Sequence, residues 1–405
     1  MAVSLWHLFA VCSLVSSPVL GSAQENLHIS GFTRLVGGVL GTDEARYQGY
    51  DDSVSVSSFS SVSSFSLAAV QADYQFTDYL SGSAQVLYHS SENRDSGIEW
   101  LYLSFEPTEA LQLKAGRLRT PALFYSDVQD VGYAYPWVLA PQQLYSAYIF
   151  TRYEGANLRY RFAWDNMQFE LEGYWGHFDD EISSGDLSLN LHVENLNGLI
   201  GLVRFGNGLS IRLATMHAPE TDINMVQLDL LQQGLQVAGF EKLARMVSLE
   251  GSSRNYMASI SYEGLEWFAT AEGTTLDSEI DALAELQSYY VMAGRYLGDF
   301  QVFATLAASS YSLNEINNTI PPGLSPELDQ LYYGVEILKA TLLTDELRSF
   351  SLGTRWDFRP SMALKAEITW LDGEPGKSSF YDVTSIQEGF DRDTTLYQVA
   401  WEWVF

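Results

Sequence analysis

Histidine, serine and acidic side chains are the residues of this chain that could perform hydrolytic chemistry. A hydrolase needs a nucleophile or an activated water beside a base, such as serine with histidine and an acid. Five histidines follow the first 23 residues, on separate segments: His28, His89, His177, His192 and His217. The sequence has no Gly-x-Ser-x-Gly elbow and no His-Glu-x-x-His motif. We therefore expect isolated polar histidines, no catalytic residue and no metal site, with a hydrolase as the less favoured alternative.

Acidic residues greatly outnumber basic ones. There are 51 Asp and Glu against 22 Lys and Arg, which gives a net charge of -29. Such a chain would repel a polyanion, so nucleic acid is excluded as a partner. Aromatic residues make up 14% of the chain, with 24 Tyr and 31 Gly, which also excludes a disordered acidic chain. The composition predicts a folded protein rich in strand formers.

The first 23 residues are typical of a cleaved signal peptide. Leu5 to Leu20 is mostly apolar, and Gly21-Ser22-Ala23 supplies the small residues that a signal peptidase reads. This run is short and contains several serines, which argues against a membrane-anchoring helix. The only cysteine, Cys12, lies in this leader, so residues 24–405 hold no disulfide. Beyond it, no apolar run reaches the roughly 18 residues of a spanning helix.

Two-residue alternation of apolar and polar residues runs through residues 24–405. In Met167 to Trp175 the odd positions are apolar and the even positions are mostly polar. Gly155 to Phe162 behaves likewise, and Trp164-Asp165-Asn166 between them predicts a short turn. Each such segment is a strand with one apolar and one wet face.

The pattern recurs as about 16 strands, with short turns at one end and long connections at the other. An even number of strands near ten residues long predicts an all-β protein, a closed antiparallel transmembrane β-barrel. A soluble β-sandwich or β-helix is the alternative, but its buried face would favour Val, Ile and Leu. Here Trp356 and Phe358, like other aromatics, lie near strand ends, as in the girdles at a bilayer interface.

Charged residues of both signs fall on the predicted inner face of the strands. We interpret these residues as lining a water-filled interior: Glu170, Glu172, Arg212, Glu266, Glu272, Arg295, Arg355, Asp357, Lys365, Glu367 and Glu402. They could simply solvate the interior and pair with one another across strands. Alternatively, those near a narrow point could set selectivity for ions.

The last strand carries the most specific signal. Five residues share one face of this strand: Tyr397, Val399, Trp401, Trp403 and Phe405. A terminal Phe preceded by alternating aromatic or apolar residues resembles the assembly signal of Gram-negative outer-membrane barrels. The resemblance implies export, insertion by the barrel-assembly machinery, and a place in the cell outer membrane.

Together, the leader, the strand count and the terminal strand resemble the general porins of Gram-negative bacteria. The resemblance implies a channel for passive diffusion of small hydrophilic solutes and ions, with no cofactor. It also implies a homotrimer in contact with the lipid bilayer and lipopolysaccharide. In that family the loop after the fifth strand folds into the lumen, so we expect residues 120–152 to constrict the pore. The loop signature Pro-Glu-Phe-Gly-Gly-Asp is absent here.

A porin constriction places acids on the loop opposite cations on the wall. By resemblance, Asp127 and Asp130 are the loop acids, and the wall cations are Arg117, Arg119, Arg159 and Arg161. Arg117 shares the register of Leu111, which should face lipid. We favour a bulge near Gly116 that turns Arg117 inward, over a position of Arg117 at the headgroup level.

Acidic long connections predict a mild cation preference, because negative channel mouths concentrate cations. Asp179-Asp180-Glu181 and the pair Asp391 and Asp393 are examples. Ile223 to Arg245 and the residues after Ser325 show helical spacing and predict helices in two of these connections. A substrate-specific channel for a sugar or an anion stays open as an alternative. Its aromatic candidates have inward register but are scattered along the chain: Trp100, Tyr102 and Phe268.

Overall fold

The computed structural model describes most of the chain after the leader. The described residues are 26–47, 65–90, 96–146, 150–184, 187–224, 226–281, 284–314, 316–341, 344–382 and 385–405. The predicted signal peptide, residues 1–23, lies outside them.

Sixteen strands form the described structure, and each overlaps a segment where alternation predicts one. Their bounds are β1 Leu27–Leu40, β2 Leu67–Thr77, β3 Leu80–His89, β4 Gly97–Thr108, β5 Leu111–Arg119, β6 Arg152–Trp164, β7 Met167–Ser184, β8 Leu187–Phe205, β9 Leu209–Asn224, β10 Glu250–Glu263, β11 Trp267–Ser278, β12 Glu285–Leu297, β13 Phe300–Ser312, β14 Leu347–Arg359, β15 Met362–Gly373 and β16 Asp393–Val404. Every strand pairs antiparallel with its sequence neighbours, and β1 pairs with β16. The sheet is therefore a closed barrel, as predicted.

The alternation predicts strands over residues 167–176, 195–205 and 209–217, and β7, β8 and β9 extend beyond these ends at the long-loop side. In this extension the alternation is inverted, because Phe178, Leu191 and Val193 are buried inside while Asp179 and His192 face outward. A sheet with a wet outer face and an apolar inner face is what water on the outside requires. The extension therefore rises above the apolar band of the barrel.

The C-terminal residue completes the barrel seam. Gly31 and Phe405 exchange two backbone hydrogen bonds of 2.9 and 3.0 Å, and the Phe405 ring lies directly against Gly31. Any side chain at Gly31 would collide with that ring, which explains glycine here. Trp401 and Trp403 face outward with Phe405, while the alternate residue Glu402 is buried in the interior. The predicted face pattern of the last strand is confirmed; its role in assembly stays a prediction.

The outer surface carries an apolar band with distinct borders. At the short-turn end, aromatic pairs such as Phe300 with Trp356 stack across neighbouring strands. At the long-loop end, charged residues lie in register from strand to strand, as in Arg348 opposite Asp372 and Asp372 opposite Asp393. An apolar band bounded by aromatic and charged rims matches the profile of a bilayer.

Two long connections carry helices, as the spacing predicts. The connection after β9 contains α2 Val226–Val237 and α3 Glu241–Met246, and the one after β13 contains α4 Pro326–Thr341. A short helix, α1 Gln142–Tyr145, precedes them in the connection after β5. The Ser325 hydroxyl accepts the Leu328 amide at 3.3 Å and so caps α4. None of the helices in the described ranges has the length and apolar character to cross a membrane.

We expect an arginine in the middle of the apolar band to destabilise the barrel far more than one at its rim. Leu352→Arg should lower the free energy of unfolding in phospholipid vesicles by about 2–4 kcal/mol, because Leu352 faces outward near the centre of β14. Ser310→Arg, at the long-loop rim of β13, is the matched control and should cost about 0–1 kcal/mol. Denaturant titration measures both. Equal costs would contradict the assignment of the band.

Candidate functional site in the barrel interior

The described part of the connection between β5 and β6, residues 120–146 and 150–151, folds into the lumen and is called the inner loop. Its Trp137 indole N–H donates to the Thr305 hydroxyl on β13 at 2.8 Å. The Trp137 ring also meets the Tyr290 ring of β12 edge-on, with centroids 5.3 Å apart. With Leu144 and Tyr145, Trp137 belongs to a buried cluster that joins the inner loop to strands across the barrel. Part of the lumen is therefore a packed core.

Arginines on the barrel wall hold the backbone of the inner loop. Arg212 on β9 donates from its two Nη atoms to the carbonyls of Pro121 and Ala122, each at 2.5 Å. Arg355 on β14 donates to the Tyr133 carbonyl at 2.6 Å. Both arginine side chains are buried. Charge-assisted hydrogen bonds of this kind are the strong ones, and each fixes one stretch of the loop.

Lys365 on β15 makes the most enclosed of these contacts. Its Nζ donates to the carbonyls of Gly132 and Trp137, at 2.6 and 2.8 Å, and lies 3.5 Å from the Glu402 carboxylate. The Lys365 side chain is 0% exposed. Gly132 lies so close to Glu402 that a Cβ would collide with the carboxylate. Any other residue at that position would displace the Glu402 carboxylate from its place beside Lys365.

Wall carboxylates receive the donors of the inner loop. Glu272 on β11 accepts the Phe124 amide at 2.6 Å and the Tyr145 hydroxyl at 2.7 Å. Glu367 on β15 accepts the Val138 amide at 3.1 Å. Loop carbonyls thus meet wall cations and loop donors meet wall carboxylates. We call Arg34, Arg212, Glu272, Arg355, Lys365 and Glu367 the wall clamp.

Arg34 on β1 is a member of the wall clamp that the sequence reasoning missed. It donates to the Tyr135 hydroxyl at 2.8 Å, and Tyr135 in turn donates to the Gln129 carbonyl at 2.8 Å. Burial raises the pKa of Tyr135 to about 12, so its hydroxyl keeps the proton that it donates. The available signal was the register of Arg34, the only Lys, Arg, Asp or Glu of β1.

The wall clamp corrects the predicted roles of five lumen residues. All five face inward as the alternation predicts but are buried beneath the inner loop: Arg212, Glu272, Arg355, Lys365 and Glu367. Glu402, beside Lys365, was predicted to line water and is buried too. The prediction that they line water is wrong, because the loop takes the place of water as their hydrogen-bonding partner. Sequence alternation identifies the face of a strand and carries no information on what covers it.

The two loop acids occupy different environments. Asp130 is buried and forms a 2.6 Å ion pair with Arg119, which lies at the end of β5. Asp127 has 57% of its side chain exposed and lies 3.9 Å from Arg159 on β6. Of the predicted constriction, therefore, Asp127 and Arg159 face the accessible lumen, while Asp130 and Arg119 fasten the loop to the wall.

The wall beside Asp127 alternates in charge, although its acids Glu170 and Glu172, predicted to line water, are buried between the cations. Arg159 lies 2.9 Å from Glu172, and Arg161 lies 2.9 Å from Glu170. Arg204 on β8 lies 3.8 Å from Glu170 as well. Each cation on this part of the wall has a carboxylate neighbour, so the cross-strand pairing interpretation of Glu170 and Glu172 matches the geometry.

Arg117 faces outward, and the register switch predicted near Gly116 is wrong. Strand β5 pairs with β4 and β6 without a shift at this point, with Arg117 opposite Leu101 and Glu154. Leu101 is an exposed outer-face residue, and Arg117 lies beside it. The outward position of Arg117 is stabilised by an ion pair, because its Nη2 lies 2.7 Å from the Glu154 carboxylate at the charged rim. The headgroup alternative is therefore the one the geometry supports.

Arg295 also faces outward rather than lining the lumen. Its guanidinium lies 5.0 Å from the centre of the Trp267 ring and 3.1 Å from the Glu266 carboxylate, near a short turn. The inward face of β12 instead carries Tyr290 and Met292, which pack in the core with the inner loop. Both faces of β12 carry apolar residues. The rule that the apolar face meets lipid therefore assigned the outward face, which carries Arg295, to the lumen.

The accessible lumen is eccentric. At the level of the inner loop, inward side chains of β10 to β16 such as Ser259, Ser288 and Ser351 are buried. On the opposite wall, several polar and aromatic residues are partly exposed: Gln71, Asp73, Trp100, Tyr102, Lys114 and Arg159. Water reaches the barrel interior mainly along β2 to β6.

Two of the predicted aromatic candidates are adjacent in the accessible half. The ring centroids of Trp100 and Tyr102 on β4 lie 6.4 Å apart, and Lys114 Nζ lies 4.9 Å from the Tyr102 centroid. The third, Phe268, is buried on β11 and packs against Tyr296. The pair on β4 is the part of this set that a solute could contact.

The histidines lie on separate strands, as the sequence predicts. His177, His192 and His217 lie on β7, β8 and β9, and His192 Nε2 is 3.1 Å from a Glu194 oxygen. Within the described ranges, no group of three or more His, Cys, Asp or Glu side chains is arranged to hold a metal ion.

Solved structures with the same architecture are outer-membrane proteins. No protein-family profile and no curated protein sequence matches the chain. The structure of Salmonella typhi OmpF in complex with daunomycin aligns with a TM-score of 0.54 at 12% identity, over 96% of this chain and 99% of that one. An anion-selective porin from Comamonas acidovorans aligns with a TM-score of 0.53 at 12% identity, over 94% of this chain and 99% of that one. In-vitro folded Vibrio cholerae OmpT, in its trimer form, aligns with a TM-score of 0.51 at 11% identity, over 94% of this chain and 99% of that one.

At these identities the likeness establishes the fold. The chain has the closed sixteen-stranded antiparallel barrel of the outer-membrane porins, and the fold predicted from the resemblance to general porins is confirmed.

We expect loss of one wall-clamp cation to destabilise the protein strongly. Lys365→Met removes the donor of two loop carbonyls and the ion-pair partner of buried Glu402, which should lower the free energy of unfolding by about 3–5 kcal/mol. Arg161→Met is the control: its side chain is 46% exposed, and its single ion pair should contribute about 0–1 kcal/mol. Denaturant unfolding and protease cleavage within the inner loop report both effects. A Lys365→Met loop as stable as that of Arg161→Met would refute the clamp.

Proposed function

We propose that the protein is a passive channel for small hydrophilic solutes and ions in the outer membrane. The observation that carries this proposal is the eccentric polar passage along β2 to β6, enclosed by a barrel whose outer surface is apolar. The inner loop fills the other side of the lumen and so confines water to this passage. Asp127 of the loop faces Arg159 of the wall at the border of the passage. A polar, water-accessible path inside an apolar cylinder serves diffusion of polar solutes.

The proposal includes a mild preference for cations. The clamp removes Arg34, Arg212, Arg355 and Lys365 from contact with water, and Arg159 is paired with Glu172. Asp127 is then the exposed charge on the loop side of the passage. The chain as a whole carries a net charge of -29, which raises the local concentration of cations at the mouths.

We further propose the export route and the assembly that the resemblance implies. A leader of residues 1–23 would direct export, and the terminal strand with Phe405 would engage the barrel-assembly machinery. Lipopolysaccharide and phospholipid would surround the apolar band. Support for a homotrimer comes from small outward residues on neighbouring strands, such as Thr33 opposite Ala68 and Ala72 opposite Ala84, which offer a flat face. The Vibrio cholerae structure of the same fold is described as a trimer.

A substrate-specific channel is the second candidate. The adjacent Trp100 and Tyr102 rings, with Lys114 above Tyr102, would contact a solute that carries a ring. Flux that saturates with solute concentration, with block of ion current by that solute, would support a specific channel. Flux that rises linearly up to a size limit would support general diffusion.

Ion selectivity should depend on Asp127 and not on Asp130. Asp127→Asn should lower the cation-to-anion permeability ratio roughly twofold, because one charge acting across about 10 Å of water contributes about 0.4 kcal/mol. Asp130→Asn should leave the ratio unchanged, since Asp130 is buried against Arg119, but should lower the thermal stability. Reversal potentials in a salt gradient across a planar bilayer measure the ratio. An anion-selective native channel, or equal shifts in both variants, would overturn the proposed selectivity.

A further inference from the structure

Two aromatic side chains and a lysine lie together on the inner face of β4 and β5, in the accessible part of the lumen. The ring centroids of Trp100 and Tyr102 lie 6.4 Å apart, and the ring planes are inclined at 47°. Lys114 Nζ lies 4.9 Å from the centre of the Tyr102 ring. All three residues are partly exposed. We call Trp100, Tyr102 and Lys114 the β4–β5 cluster.

The register of the two strands directs the cluster into the lumen. Leu101 and Leu103 are exposed on the outer face, so the alternation of β4 turns Trp100 and Tyr102 inward. Lys114 on β5 lies opposite Ser104, the next inward residue of β4 after Tyr102. The rings and the lysine therefore follow one another along the wall, with the rings toward the long loops and the lysine toward the short turns.

The ammonium of Lys114 has no hydrogen-bond acceptor and no acidic partner among the described residues, and its one contact is with the Tyr102 ring. Other inward cations have such partners: Arg159 lies 2.9 Å from Glu172, and Arg212 donates to two loop carbonyls. An ammonium carries three N–H donors. Lys114 can therefore donate charge-assisted hydrogen bonds to an anionic group of a solute.

The charged groups around Lys114 have partners of their own. Glu106 on β4 accepts hydrogen bonds of 2.7 and 3.0 Å from neutral neighbours, and Asp73 on β2 accepts others of 2.5 and 2.9 Å. Asp127 of the inner loop lies 3.9 Å from Arg159, which adds a second cation to this wall. Glu106 lies on the short-turn side of Lys114, because Ser104 is opposite Lys114. An anionic group that enters from the long loops therefore meets Lys114 before it meets Glu106.

The two rings favour an aromatic solute over other apolar groups. Aromatic rings attract one another through the quadrupole of their π-systems, in addition to the area that they bury. A cationic ring would be repelled, since the Lys114 ammonium already lies against Tyr102. An aliphatic acid would gain the contact with Lys114 and lose the ring attraction, and a neutral arene would do the reverse. An aromatic acid makes both contacts.

We propose that the β4–β5 cluster is a binding subsite for aromatic carboxylates inside the channel. The ring of the solute packs against Trp100 and Tyr102, and its carboxylate accepts hydrogen bonds from Lys114 Nζ. The proposal rests on the channel of the proposed function, because a solute reaches the cluster through the lumen. It gives a chemical class to the ring-bearing solute and is compatible with free diffusion of other solutes.

Block of the ion current across a planar bilayer tests the proposal, with three solutes at neutral pH: benzoate, benzamide and cyclohexanecarboxylate. Benzoate should halve the current at a concentration about tenfold below that of benzamide, because benzamide lacks the charge that Lys114 contacts. It should also act about threefold below cyclohexanecarboxylate, which has the charge but no aromatic ring.

Three variants assign these differences to residues. Lys114→Gln should raise the half-blocking concentration of benzoate to that of benzamide. Trp100→Leu should raise it about threefold, because one ring contact is lost. Arg204→Gln is the matched control and should leave it unchanged. This variant removes the same charge from β8, where the Arg204 side chain is 49% exposed and lies 3.8 Å from Glu170.

The outcomes separate the subsite from the channel. Equal block by the three solutes, or the same effect from Lys114→Gln and Arg204→Gln, would overturn the subsite and leave conduction standing. A lower half-blocking concentration for benzylammonium than for benzoate would overturn the anionic class of solute. A protein that conducts no ions would contradict the proposed function, and calorimetric titration of that protein with benzoate would still test the subsite. Binding that Lys114→Gln abolishes would support the subsite, and absence of binding would overturn it.

Discussion

The structure of the barrel interior depends on the mutual satisfaction of buried polar groups between the wall and the inner loop. A loop that crosses the lumen carries backbone carbonyls and amides that lose water, and each needs a partner. The wall provides them: Lys365 alone holds the Gly132 and Trp137 carbonyls, and Glu367 holds the Val138 amide. Because the clamp residues come from β1, β9, β11, β14 and β15, the position of the loop is determined by much of the barrel circumference.

The same contacts determine where water can pass. The clamp and the aromatic cluster of Trp137, Tyr145 and Tyr290 fill the side of the lumen next to β10 to β16. On the opposite wall, Arg159 and Arg161 alternate with acids. In the proposed channel, the exposed Asp127 of the inner loop lies beside these paired charges and can influence selectivity.

The strands and turns could be predicted because the two faces of most strands meet different solvents. Lipid and water impose an alternation that a sequence displays directly, and this gave all sixteen strands and the short turns. The prediction failed at Arg295 because the inner face of β12 meets the inner loop, which is as apolar as lipid. Arg34 and the burial of Lys365 could not be predicted, because both depend on the path of a loop that lacks periodicity.

Thiol accessibility of the open channel tests the central claim most directly, since the only cysteine of the chain lies within the predicted leader. Gln71→Cys lies on the half-exposed wall, and Ser351→Cys lies on the buried wall behind the inner loop. The account predicts that a charged, membrane-impermeant thiol reagent reduces the single-channel current of Gln71→Cys and leaves that of Ser351→Cys unchanged. Equal modification and equal block at both positions would show a lumen open on all sides and would contradict the clamped loop.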